Sequence, residues 1–118
     1  MLREFALAAG AGGSLTIRIV GSREARVLNK KYRAKNYATN VLSFPYGAGS
    51  GDLVLCHPVI AREARAQRKT LRAHYAHLVV HGVLHLRGHD HLRRRDAARM
   101  ERAEIRILRR LGFGDPYA

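Results

Sequence analysis

The chain has few means of covalent or membrane anchoring. Its 118 residues include one cysteine, Cys56, so no intrachain disulfide and no thiolate-rich zinc knuckle can form. That usage fits a reducing, cytoplasmic setting. No apolar run approaches the roughly 20 residues a membrane-spanning helix needs; the nearest, Leu78 to Leu86, is interrupted by two histidines. Met1 to Gly13 carries both Arg3 and Glu4 with a short Ala/Gly-rich stretch, and matches neither a secretory signal nor a transit peptide. Acids are scarce: nine stand against 22 Lys and Arg, a formal charge of +13. Such an excess is the electrostatic footprint of a protein that works on phosphate backbones, although an arginine-rich solvated surface gives the same count. The length suits one domain spanning residues 1–118.

What the chain does have is histidine. Of seven in all, four (His81, His85, His89, His91) fall in the run His81-Gly82-Val83-Leu84-His85-Leu86-Arg87-Gly88-His89-Asp90-His91. Residues four apart on a helix stand about 6 Å apart along the axis and roughly 40° around it. His81 and His85 can therefore lean onto one ion at about 2.0–2.1 Å, the usual zinc–nitrogen distance. Gly88 can end the helix in the left-handed conformation and swing the chain back, bringing His91 round. Three imidazoles with an open fourth position make a catalytic-type zinc site. His77, on the same stripe, and His89, just past the turn, compete for ligand roles.

Leu15 to Val20 alternates as a half-buried strand. Ser22 is a plausible N-cap for a helix over Arg23 to Tyr32 that buries Ala25, Leu28 and Tyr32. Val41 to Phe44 and Asp52 to Cys56 read as a hairpin around the Gly47 to Gly51 turn, with Pro45 stopping the first strand. A helix is expected from Pro58 to Lys69. Thr70 caps the next, Leu71 to Arg87, which is apolar nearly all round and belongs in the middle of the fold. The last helix, Asp96 to Leu111, turns Ala97, Met100, Ile107, Leu108 and Leu111 inward and ends at Gly112. These elements predict an α+β domain, a small mixed sheet packed with helices around a central metal-binding helix.

Zinc peptidases with this histidine spacing place a glutamate general base directly after the first histidine. Here that residue is Gly82, which argues against their mechanism and for close approach of a neighbouring element. No general base stands out. Nor is a stack of exposed aromatics evident, which favours recognition of a nucleic-acid backbone over base readout.

The run from His81 to His91 resembles the signature of the bacterial YbeY endoribonuclease family, His-Gly-x-Leu-His-Leu-x-Gly-Tyr/His-Asp-His. Leu28-Asn29, Tyr32-Arg33, Thr39 to Pro45, Gly51 to Leu55, and a tail with Glu104, Leu111-Gly112-Phe113 and Asp115-Pro116-Tyr117 extend the likeness over Leu15 to Tyr117. The departures are Asn36 for Asp, Ala38 for Pro, a short Gly47 to Gly51 loop and an abbreviated N-terminal segment. The resemblance implies a compact α+β fold and one divalent ion, of zinc type, on His81, His85 and His91. It also implies a catalytic Arg33, single-strand-directed RNA cleavage, 3′-end maturation of small-subunit rRNA and ribosome quality control. Its expected partners are rRNA, the small ribosomal subunit and an assembly GTPase. Lys31, Arg33, Lys35, Asn40 and Ser43 are the candidate RNA contacts, and His77, Asp52 and Asp90 the candidate supports of the ligand histidines. An ion so held acidifies a water toward a pKa of about 7 and polarises a phosphoryl oxygen; Arg33 can meet the developing charge with its planar fork. A metallopeptidase, or an RNA-binding assembly factor whose metal is structural, are the alternatives.

Overall fold

The computed structural model describes residues 1–89 and 93–118. In chain order these form α1 (Leu2–Ala8), β1 (Leu15–Val20), α2 (Ser22–Arg33), β2 (Val41–Gly47), β3 (Ser50–Cys56), α3 (His57–Ala66), α4 (Leu71–Leu86) and α5 (Arg94–Arg110). The three strands make one mixed sheet in the order β1-β3-β2. β1 runs parallel to β3, with Ile17 opposite Leu53, and β2 runs antiparallel, with Ser43 opposite Leu53. The hairpin and the α+β class are as the sequence predicts.

β3 is central and buried on both faces. Leu53 and Leu55 join the main core with α1, α4 and α5. Val54 and Cys56 turn the other way, onto Val20, Ala25, Leu42 and Val59. Two-residue periodicity thus divides one strand between two apolar layers. α4 packs against α1, α3, α5, β2 and β3, and ten of its sixteen residues are buried, which makes it the central helix. Thr70 caps it, accepting from the Ala73 amide at 3.0 Å.

Local details differ from expectation. Ser22 is the first helical residue of α2 and Gly21 the cap, with no side-chain bond. Tyr32 is not buried but 52% exposed; the inward stripe runs instead through Ala25 and Asn29. Pro45 does not stop β2, which continues to Gly47; β2 is an edge strand, where a missing N–H costs nothing to the ladder. α3 ends at Ala66 rather than Lys69, because Arg68 takes φ 55° and the Lys69 amide closes back on Ala64 O at 2.9 Å. α1 had no sequence signal, since the Ala-rich stretch has no marked period. Phe5 and Ala6 nevertheless seal the core, Phe5 edge-on to Phe113 at 5.6 Å.

Candidate metal centre and cleft

His77, His81 and His85 occupy successive turns of α4, each half-buried. The helix sits here because Gly82 lets β2 and β3 approach. A Cβ at Gly82 would come within 2.7 Å of Leu53 Cδ2 and 3.2 Å of Ser43 Oγ, and Ser43 Oγ already donates to Gly82 O at 3.3 Å. The close approach expected at Gly82 is present.

That contact opens a cleft of about 450 Å³ on one side of α4, lined by His81, His85, Arg33, Lys35, Tyr37, Asn40 and Ser43 among others. His81 and His85 bring their Nε2 atoms to 3.2 Å. Two nitrogens on one tetrahedral ion at about 2.0–2.1 Å stand roughly 3.3 Å apart, so this spacing is the one a shared ion requires.

The other side of His81 is fixed by a residue the sequence reading overlooked as a support. Its Nδ1 is hydrogen-bonded to the Glu104 carboxylate of α5, and the Glu104 side chain is 0% exposed. The Tyr117 hydroxyl donates to the second carboxylate oxygen. His77 Nε2 lies 3.3 Å from that hydroxyl and 3.8 Å from the carboxylate. A consistent proton arrangement follows: His77 Nε2–H donates to Tyr117, Tyr117 to Glu104, and His81 Nδ1–H to Glu104. The remaining lone pair of His81, on Nε2, then faces the cleft, as a metal ligand must. Burial alone would raise the Glu104 pKa, but His77 beside it and the hydrogen bonds from His81 and Tyr117 overcome it and hold the carboxyl at about 2. Glu104 was legible in principle. It falls in the inward stripe Met100, Ala103, Glu104, Ile107, Leu108, and an acid in an apolar stripe implies a buried partner.

Among the described residues, ligand atoms of His77, His81 and Glu104 also lie within 4.8 Å of one another, a group able to hold a metal ion. Two anticipated members, His91 as a ligand and Asp90 as a support of the ligand histidines, lie outside the described residues. Gly88, with φ 92°, makes the anticipated turn after α4. His89 follows it, its amide bonded to Leu84 O at 2.9 Å. Asp52 sits on β3, and its carboxylate beside the Tyr46 hydroxyl raises the pKa of that tyrosine.

Arg33 stands at the cleft rim, its guanidinium donating to Ser43 O at 2.8 Å and lying 5.5 Å over the Phe44 ring. Asn40 lines the cleft, but its side chain is turned to structural work. Its amide donates to Glu63 at 3.0 Å and its oxygen accepts from the Val41 amide at 2.7 Å. Glu63 also meets the buried His74 Nε2 at 2.9 Å. Lys31 lies 5.2 Å over the Tyr32 ring, outside the cleft lining. Single exposed aromatics are present, although the sequence makes no stack of them evident: Tyr37 lines the cleft and is 53% exposed, and Tyr32 and Tyr46 are exposed as well. Tyr37 stands in the connection between α2 and β2, where no period marks its exposure in the sequence.

Fold and site together define a small α+β protein with a histidine-bearing central helix turned into a basic cleft. The family model described as Endoribonuclease YbeY matches residues 1–112, and the chain belongs to that family. It is 53% identical to the endoribonuclease YbeY of Aromatoleum aromaticum over 122 aligned positions, covering all of this chain and 79% of that protein. It is 54% identical to the Bordetella pertussis counterpart, covering 91% of this chain and 71% of the relative. A Thermotoga maritima protein solved in solution shares the fold, with TM-score 0.59 and 22% identity over 98% of this chain and 85% of that one. No helix among the described residues is long and apolar enough to cross a membrane.

Proposed function

We propose that the chain is a metal-dependent endoribonuclease that cuts single-stranded RNA in the cleft between α4 and β2. The observation that carries this reading is the pair of Nε2 atoms 3.2 Å apart, facing the same cleft that Arg33 and Lys35 line. The donor set fits a zinc-type ion: two helical imidazoles converge, and one is oriented by a buried carboxylate. His91, matching the third ligand of the family signature, completes the proposed set. An ion held there supplies Lewis acidity toward a phosphate oxygen. The chain's own groups do the rest. Arg33, braced by Ser43 O, neutralises charge on the phosphate, and Lys35 draws the backbone into the cleft. Tyr37 presents a ring on which an unstacked base can lie, which favours single strands over duplex.

By family membership the substrate is small-subunit rRNA near its 3′ end. The work is then done in the cytoplasm, in ribosome maturation and quality control, with the small subunit and an assembly GTPase as partners. The metallopeptidase alternative is weaker, because no carboxylate is among the described residues that line the cleft and Gly82 stands where the base would be. The deciding experiment is metal analysis of purified protein with cleavage of single- and double-stranded RNA. Cleavage of single strands that chelator abolishes and zinc restores is expected. Chelator-resistant cleavage would end the metal reading. RNA binding without cleavage, in zinc-loaded protein, would favour an assembly factor with a structural ion.

A further inference from the structure

We propose that the C-terminal tail is a latch on the metal centre: Tyr117, acting through buried Glu104, fixes the orientation of His81 and so sets how tightly the centre holds its ion. The proposal rests on the preceding reading only in taking His81 as a ligand. It makes Tyr117 a positioning residue, not a catalytic one.

The geometry of the tail carries it. Tyr117 belongs to no helix or strand, yet it is tied into the fold. Lys69 Nζ donates to Pro116 O at 2.9 Å, and the Tyr117 amide donates to Asp115 Oδ1 at 2.8 Å. The ring stands edge-on to His77 at 5.3 Å. These contacts deliver the hydroxyl to Glu104, whose other oxygen holds His81 Nδ1. The carboxylate therefore bridges the tail and the ligand histidine. It is wholly enclosed, so no water can replace a lost donor without rearrangement. Remove the hydroxyl and, among the described residues, the second oxygen keeps only His77 Nε2, at 3.8 Å. The carboxylate can then swing, and the His81 ring with it. A partner one hydrogen bond out from a ligand, as Glu104 is, is worth about 10–100-fold in metal affinity, and Tyr117, one bond further, should reach the low end of that range.

Tyr117→Phe is the informative variant, since the residue is 47% exposed and the packing of its ring is kept. Zinc affinity is read by competition with a chromophoric chelator, and ligand geometry by the visible spectrum of the cobalt(II)-substituted protein. The latch requires Tyr117→Phe to bind zinc about tenfold more weakly, with an altered cobalt spectrum and metal-free melting unchanged. Glu104→Gln should weaken zinc at least as much. Wild-type zinc affinity and cobalt spectrum in Tyr117→Phe would overturn the latch, and so would a wild-type protein that takes up no zinc. Loss of melting temperature with an unchanged cobalt spectrum would reduce the tail to a structural brace, also overturning it. Zinc-binding protein that shows the Tyr117→Phe loss but never cuts RNA would remove the nuclease reading and leave the latch intact.

Discussion

Arg33 and Tyr37 flank the same cleft and should fail in different ways. The guanidinium of Arg33, held by Ser43 O at 2.8 Å, is placed to act on charge that grows as the phosphate reacts. Arg33→Ala should lower kcat on single-stranded RNA by about 10²–10³-fold, and Lys at this position should restore only part, lacking the planar fork. Tyr37 offers a surface, so Tyr37→Ala should raise KM for single strands roughly tenfold, in the range of about 1–3 kcal/mol per stacked base, while Tyr37→Phe should not. Equal effects on duplex and single-stranded substrate would count against stacking. His74 belongs to the fold rather than the chemistry. Burial pushes its pKa below the ordinary 6.5, against the opposing pull of its Glu63 hydrogen bond and charge. Below pH 6.5 the unfolded chain binds this proton more readily than the folded one, so stability contributed above that value declines as the solution is acidified. The melting temperature should fall between pH 7.5 and 5.5, and less steeply in His74→Gln. Parallel curves for the two proteins would refute the assignment.

At the level of elements, the position of α4 against the β2–β3 hairpin decides whether the imidazoles face a cleft at all. Gly82 is the contact. Alanine there gains helix propensity of about 1 kcal/mol, but its methyl would press on Leu53 Cδ2, in a side chain with no exposed surface. Overpacking of this kind costs about 1–3 kcal/mol; the net expectation is a melting temperature lowered by a few degrees and reduced cleavage. A more stable Gly82→Ala protein would show that the hairpin can yield. This element also shows what sequence makes legible. β1 is legible from the alternation through Leu15 and Ile17, although Ile19 is 56% exposed, the hairpin from its glycine-rich turn, α4 from its near-continuous apolar run, and the His81–His85 pair because four residues make about one turn. Glu104 and Tyr117 join the centre through contacts 23 and 13 positions apart in the chain, and no local pattern encodes such a meeting. α1 escapes because its seven residues, Leu2–Ala8, are too few to show a period.

For the whole molecule, charge and shape point to one ligand class. A formal +13 on 118 residues should make RNA association steeply salt-dependent, with log affinity falling by about 0.7 per phosphate neutralised for each log unit of salt. Binding that stayed level from about 50 to 200 mM salt would contradict a backbone-led mode and leave affinity to stacking alone. The deeper question is which side of His81 the ion occupies. Comparing zinc content and single-strand cleavage in His85→Ala and His77→Ala, purified side by side, answers it most directly. Loss of both zinc and cleavage in His85→Ala, with zinc retained in His77→Ala, is the expected result. Zinc kept by His85→Ala and lost from His77→Ala would put the ion on the Glu104 side and contradict the account.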